Sequence, residues 1–256
     1  MTRGIVTREM EPSLPVIRLT NVVKTYGQGD TAVQALRGVS VDVSAGDYVA
    51  IMGVSGSGKS TMMNIIGCLD VPTSGHYFID GIDAGSLDDG QLALVRNRKI
   101  GFVFQSFNLI PRMNVLANVE LPLAYAGVRQ AERRRRAAAA MLMVGGLGDR
   151  GNHQPSQLSG GQQQRTAVAR ALVTSPSLIL ADEPTGNLDT ASTNDVLAVF
   201  DRLNAAGRTM VVITHEPDVA AHAKRVIRLL DGQVTDDRRS AEPGALPPYL
   251  TGARQQ

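Results

Sequence analysis

Short apolar runs rich in Val, Ile and Leu alternate with helical stretches along most of this chain. Val16–Val23, Leu36–Val43 and Tyr48–Met52 read as strands, and a glycine-rich loop then leads into a helix over Lys59–Leu69. Further strands are predicted at His76–Ile79, Ile100–Phe104, Leu178–Ala181, Thr209–Thr214 and Arg225–Leu230. The last three are short and flanked by helices, the pattern of a parallel sheet covered on both faces. From about Asn108 to Gln157 the pattern turns helical, most clearly over Ala131–Val144. This stretch reads as a helical subdomain inserted between the two halves of an α/β core. The segment Ser106–Ala126 carries Phe107, Leu109, Ile110, Met113, Leu116, Leu121 and Leu123, more apolar surface than a linker needs. About half of these are expected to pack the insert, and the rest, with Met113 as the first exposed candidate, to line a groove that receives a short partner helix. Residues 1–15 and 236–256 lack this periodicity and read as a flexible N-terminal extension and C-terminal tail around a 16–235 domain.

Composition narrows the classes open to the chain. Its 256 residues suffice for one large domain with a smaller helical insert, and 43% apolar content can fill a core. The 20% charged residues nearly cancel, to +2, so no strong field marks a nucleic-acid binder and none is expected as a partner. Arg133–Arg136 could form a lipid or RNA patch, but on one helix followed by alanines it reads better as a solvated face. Cys68, alone, excludes an internal disulfide and suits a reducing compartment. The start of the chain places Arg8, Glu9 and Glu11 where an export signal needs an apolar run. The longest apolar stretch, Ala137–Gly148, falls short of the roughly 20 residues of a membrane span. The expectation is a soluble, cytosolic chain that serves a membrane only through a partner.

Two motifs carry chemistry. Gly53-Val54-Ser55-Gly56-Ser57-Gly58-Lys59-Ser60 matches the phosphate-binding loop G-x-x-x-x-G-K-[ST] at every fixed position, between an apolar strand and a helix. Glycines let backbone N–H groups converge on phosphate oxygens, and the following helix start favours negative charge. Lys59 can reach the β- and γ-phosphates of a nucleotide, and the Ser60 hydroxyl can ligate Mg²⁺. About 120 residues later, Leu178-Ile179-Leu180-Ala181-Asp182-Glu183 ends an apolar strand in two carboxylates, at the sheet edge where α/β folds bind ligands. Such an ending is weak evidence alone, but beside a phosphate loop it assigns Asp182 to Mg²⁺ and Glu183 to the water attacking the γ-phosphate.

The stretch Gln157-Leu158-Ser159-Gly160-Gly161-Gln162-Gln163-Gln164-Arg165 resembles the signature motif of the ABC ATPases. The resemblance spans roughly residues 16–235. It implies a P-loop NTPase core with a mostly parallel sheet, an antiparallel β subdomain and an inserted α-helical subdomain. It also implies an ATP- and Mg²⁺-dependent ATPase that works as a homodimer, with Ser159, Gly160, Gly161 and Gln162 contacting the γ-phosphate held by the second copy. By the same resemblance Tyr26, placed after the first strand, stacks on adenine. Gly53, Ser55, Gly56, Ser57, Gly58, Lys59, Ser60 and Thr61 hold the phosphates. Gln105 senses Mg²⁺ and the attacking water, Asp189 in Asn187-Leu188-Asp189 crosses the dimer interface, and His215 contacts the γ-phosphate. The catalytic set is thus Glu183, His215, Gln105 and Lys59, and the Mg²⁺ set Ser60, Gln105 and Asp182.

Asn64-Ile65-Ile66-Gly67-Cys68-Leu69-Asp70 with Pro72-Thr73-Ser74-Gly75 resembles the macrolide-exporter, lipoprotein-releasing and cell-division ATPase group, as do Gly101–Leu109 and Ala181–Asp189. In that group the partner is a permease with four transmembrane helices per subunit and a large external domain, at the inner face of the plasma membrane. The implied function is the motor of an exporter or force transmitter. The alternative within the group is a division or cell-wall regulator that moves no cargo. A DNA or ribosome ATPase fits less well: about 100 residues separate the phosphate loop from Ser159, with no heptads and no cysteine cluster between.

Overall fold

In a computed structural model of the chain, residues 14–239 are described. The expected extension over residues 1–13 and tail over 240–256 lie outside the described residues. The strands are β1 (Ile17–Tyr26), β2 (Val33–Val43), β3 (Tyr48–Met52), β4 (Ser74–Ile79), β5 (Ile82–Asp83), β6 (Ile100–Phe104), β7 (Leu178–Asp182), β8 (Thr209–Ile213), β9 (Arg225–Leu230) and β10 (Gln233–Arg239). The helices are α1 (Lys59–Ile66), α2 (Asp89–Lys99), α3 (Val115–Tyr125), α4 (Gln130–Val144), α5 (Gly160–Leu172), α6 (Thr190–Ala205) and α7 (Pro217–Ala220).

Two sheets form. The larger runs β10-β9-β3-β8-β7-β6, with β9, β3, β8, β7 and β6 mutually parallel and only β10 antiparallel at the edge. All five residues of β3 and of β8 are buried, as strands covered on both faces must be. The smaller sheet, β2-β1-β4-β5, is antiparallel. Its β1 alternates Ile17 and Leu19 inward with Arg18 and Thr20 outward. Ile17, Leu36 and Ile79 there share a core with Met62, Ile65 and Ile66 of α1 and with Leu180 and Ile213 of the parallel sheet. On the opposite face of that sheet a second core gathers Ala50, Ala181 and Val212 with Val119 and Leu123 of α3, Ala140 and Val144 of α4, Val168 of α5 and Phe200 of α6. The fold is that of a P-loop NTPase carrying an antiparallel sheet and a group of helices, as the resemblance implies.

Local chemistry sets the helix starts. Asp88 begins α2 by accepting from the Gln91 N–H at 2.8 Å, while Gln91 Oε1 accepts from the Asp88 N–H at 3.0 Å. Asn114 caps α3 through the Ala117 N–H at 2.8 Å. On α4, Arg135 and Arg136 pair with Glu132, and Arg133 lies 3.5 Å from Glu120. The arginine run is thus a solvated face laced by ion pairs.

Two boundaries need correction. Residues 236–239 belong to β10 and not to a tail, because ion pairs hold that charged edge strand: Arg225 to Asp237 at 2.6 Å and Arg239 to Asp47 at 2.9 Å. Tyr26 does not follow the first strand but ends it, since pairing with β2 continues to Tyr26 opposite Val33.

Candidate functional site

Parallel strands present their carboxyl ends along one edge, and the register here brings four chain segments together. Ile51 lies beside Ile213, Ile213 beside Asp182, and Asp182 beside Phe104. With neighbouring strands about 4.8 Å apart, the loop opening at Gly53, the residues after Ile213, the pair Asp182–Glu183 and Gln105 form a single row. Of the residues singled out in the sequence, the phosphate loop, Asp182, Glu183, His215 and Gln105 therefore lie along one ledge.

The loop Gly53–Gly58 turns directly into α1. Gly58 has φ 102°, and a Cβ there would stand 2.7 Å from the Ala35 carbonyl oxygen, so only glycine fits. Lys59 Nζ donates to the carbonyls of Gly53 at 2.8 Å and Val54 at 2.9 Å, spanning the loop from inside. Ser60 and Thr61 follow in the first turn of α1, beside the loop. Ser57 is buried, and its hydroxyl has no partner among the described residues. This cradle of main-chain N–H groups at a helix start, with one lysine, fits a polyphosphate.

Glu183 sits just past β7 with φ 43°, a left-handed backbone rarely taken by glutamate, fixed by its own N–H donating to Ile213 O at 2.9 Å. Its Oε1 lies 2.7 Å from His215 Nδ1, while Oε2 is buried without a hydrogen-bond partner among the described residues. The hydrogen bond to Glu183, and then that carboxylate's charge, raise the His215 imidazole above its usual 6.5. Burial and the charge of Glu183 push the Asp182 carboxyl up, against the pull of Lys59. Two crowded carboxylates with one nearby lysine suit a hard divalent cation held by Asp182, Ser60 and phosphate oxygens. Among the described residues no three His, Cys, Asp or Glu side chains gather into a metal site by themselves.

The segment Ser159–Gln162 lies elsewhere. Ser159 caps α5, its hydroxyl accepting from the Gln162 N–H at 3.3 Å and Gln162 Oε1 accepting from the Ser159 N–H at 3.1 Å. No hydrogen bond joins it to the phosphate loop among the described residues. Its neighbours belong to the loop after Glu183 and to the first turn of α6. A Cβ on Gly161 would stand 2.8 Å from Ser192 Oγ, and one on Gly160 3.3 Å from Leu188. Asp189 caps α6, accepting from the Ser192 N–H at 2.8 Å. Tyr26 is 41% exposed, next to Thr61, with its hydroxyl on Asp70.

Two residues of α5 were not singled out in the sequence. Gln164 is fully buried, and its amide donates to Pro184 O at 2.5 Å and Phe104 O at 3.4 Å, joining the residues beside Glu183 and Gln105. Arg170 donates to the carbonyls of Phe107 at 2.8 Å and Asn108 at 2.5 Å. The available signal was a glutamine four residues before Val168 on an otherwise apolar helical stripe.

A groove of about 530 Å³ opens between the parallel sheet and α3, floored by the stacked rings of Phe102 and Phe104 and edged by Leu69, Leu121 and Tyr125. Of the seven apolar residues in Ser106–Ala126, Leu121 lines it, Leu123 is buried, Leu116 packs on the core, and Met113 is half-buried outside it. No described helix is long and apolar enough to cross a membrane.

A family model described as ABC transporter matches residues 36–186. The chain is 52% identical over 245 residues to a macrolide export ATP-binding/permease protein MacB of Syntrophobacter fumaroxidans, covering 95% of this chain but 34% of that protein. It thus spans about a third of the length of the MacB relatives it matches first. Against an uncharacterized ABC transporter ATP-binding protein of Thermotoga maritima, identity is 53%, with 86% of this chain and 93% of the relative covered. The solved dimer of the ATP-binding cassette MJ0796, bound to ADP and Pi, superposes with a TM-score of 0.79 at 48% identity, over 87% of this chain and 98% of that one.

The His215–Glu183 contact makes a pH-dependent prediction. The raised imidazole means that the contact stabilises the fold fully below about pH 6.5, and that this stability is lost as pH rises through the raised value. The difference in unfolding temperature between wild type and His215→Gln should be largest near pH 6 and shrink steadily above it. A difference constant from pH 6 to pH 9 would contradict the assignment.

Proposed function

The chain belongs to the ABC transporter family, and as one of its ATP-hydrolysing cassettes, we propose, it drives a membrane permease by closing with a second copy around two ATP·Mg²⁺. The single observation that carries this reading is the row of Lys59, Asp182, Glu183, His215 and Gln105 along one sheet edge, with the start of α5 standing apart from it. The loop from Gly53 through Thr61 binds the phosphates, with Ser55, Gly56 and Gly58 offering main-chain N–H groups, the Ser57 N–H being held by Val54 O at 3.2 Å, and Lys59 reaching the β- and γ-phosphates. Ser60, Asp182 and Gln105 hold the Mg²⁺, which when bound neutralises charge on the phosphate oxygens. Glu183 orients the attacking water through its unshared carboxylate oxygen and takes up its proton, while His215 fixes the other oxygen and faces the γ-phosphate. Tyr26 offers its exposed ring to adenine.

Ser159 and Gln162 cap each other, so the first N–H groups of α5, at Gly160 and Gly161, are left for an anion. In this reading the anion is the γ-phosphate bound by the other copy. Asp189, just past Leu188, lies at the seam. Cleavage removes the charge that bridges the copies, and the dimer opens. The permease is the four-helix type with a large external domain, and it places the chain at the inner face of the plasma membrane. Support comes from the MacB relatives, whose names join ATP-binding and permease functions. The groove beside Phe102 and Phe104 is apolar and open enough to accept a short helix of that permease, with Tyr125 74% exposed at its rim.

Three outcomes test the reading. Glu183→Gln should keep ATP binding, lower turnover by about 100-fold or more, in the range for loss of general acid–base catalysis, and elute as a dimer with ATP. Normal turnover by that variant would remove Glu183 from the chemistry. Mixing Ser159→Arg chains with Lys59→Ala chains, each inactive alone, should restore one working site per mixed dimer. No gain on mixing would exclude the shared sites. Tyr125→Glu should leave the ATPase of the isolated chain unchanged but abolish co-purification with the permease or its stimulation of turnover. If it couples normally, the permease docks elsewhere.

A further inference from the structure

The Tyr26 ring is held on two sides. Its hydroxyl donates to Asp70 Oδ2 at 2.8 Å, and Lys24 Nζ stands 4.9 Å from the ring centroid. Lys24 lies two residues earlier on the same strand, so both side chains leave the same face of the sheet. The Lys24 ammonium in turn donates to Asp70 Oδ1 at 2.5 Å and to the Val71 carbonyl at 2.9 Å. Cation, carboxylate and phenol close a triangle, with the Lys24 side chain only 12% exposed while the tyrosine stays 41% exposed. Burial alone would raise the Asp70 carboxyl, but hydrogen bonds from Lys24 and Tyr26 hold it below its ordinary value.

Asp70 is placed by the chain reversal that ends α1. The N–H groups of Leu69 and Asp70 both donate to Asn64 O, at 2.8 and 3.1 Å, and Cys68 takes a left-handed φ of 53°. Arg96 pins the reversal by donating to Cys68 O at 2.6 Å. The same helix that begins at the phosphate loop therefore ends by setting the partner of the Tyr26 hydroxyl. This gives a physical task to the stretch Asn64–Asp70, which the phosphate chemistry leaves unused.

We propose that Lys24 and Asp70 are positioning residues for the nucleotide base, locking the Tyr26 ring with one face against the ammonium so that the other is the stacking surface. The inference rests on Tyr26 being the adenine platform. A ring fixed in advance loses no rotamer freedom when a base stacks on it. An ammonium on its far face also draws π density away, which favours stacking of an electron-rich purine on the near face.

The test measures the affinity of the full chain for a ribose-labelled fluorescent ATP analogue, and for inorganic tripolyphosphate, which has no base, as its competitor. Lys24→Met and Asp70→Asn should each weaken the analogue about three- to tenfold, the range a cation–π or charge-assisted contact carries. Tripolyphosphate affinity should not change, and neither substitution should weaken binding further in a Tyr26→Ala chain. The positioning role fails, with the platform intact, if either variant binds ATP normally, loses tripolyphosphate in parallel, or adds its full effect to Tyr26→Ala. If Tyr26→Ala itself binds the analogue as wild type does, the platform reading is wrong and this inference falls with it.

Discussion

Five strands pointing the same way must end along the same edge, and that constraint gathers Gly53, Gln105, Asp182, Glu183 and His215 into one row. The order β9-β3-β8-β7-β6 is not the order of the chain, so residues as distant as Gly53, Gln105, Glu183 and His215 become neighbours only once the parallel ladder has formed. The central strands β3 and β8 are buried on both faces, which leaves little freedom to slip: a one-residue shift would turn each side chain to the opposite layer.

A second constraint ties this edge to the helices. Gln164 bridges Phe104 O and Pro184 O from inside α5, and Gly161 lies so close to Ser192 that no side chain fits between α5 and α6. Arg170 holds the backbone just after Gln105 from the far end of the same helix. The start of α5, the loop after Glu183 and the segment leading to the apolar groove therefore share one mechanical element. Helix α5, which carries Ser159 at its start, is thus hydrogen-bonded to the backbone next to both Gln105 and Glu183.

Much of this was legible in the sequence because its cause was local. Tyr48–Met52 and Thr209–Ile213 are uninterrupted apolar runs, and burial on both faces demands such runs. The phosphate loop was legible because its glycines answer to backbone geometry alone. What escaped depended on partners far along the chain. The edge strand Gln233–Arg239 carries Asp236, Asp237, Arg238 and Arg239 and looks like a solvated tail until Arg225 and Asp47 are set opposite it. Helix α2 is polar, buries only Leu92 and gave no apolar stripe to read. Gln164 looked like one more glutamine in a polar run, and only the meeting of β6 and β7 gives it two carbonyls to satisfy.

The left-handed backbone of Glu183 stores strain at the end of β7. A left-handed conformation at a residue other than glycine costs of order 1–3 kcal/mol, here held by the Ile213 carbonyl. Glycine or asparagine at this position would relieve that backbone strain, at the cost of the carboxylate and of its contact with His215. At this residue the backbone favours an exchange that the proposed role in hydrolysis forbids. An engineer ranking variants by backbone strain alone would be led away from the proposed ATPase, toward a copy without its carboxylate.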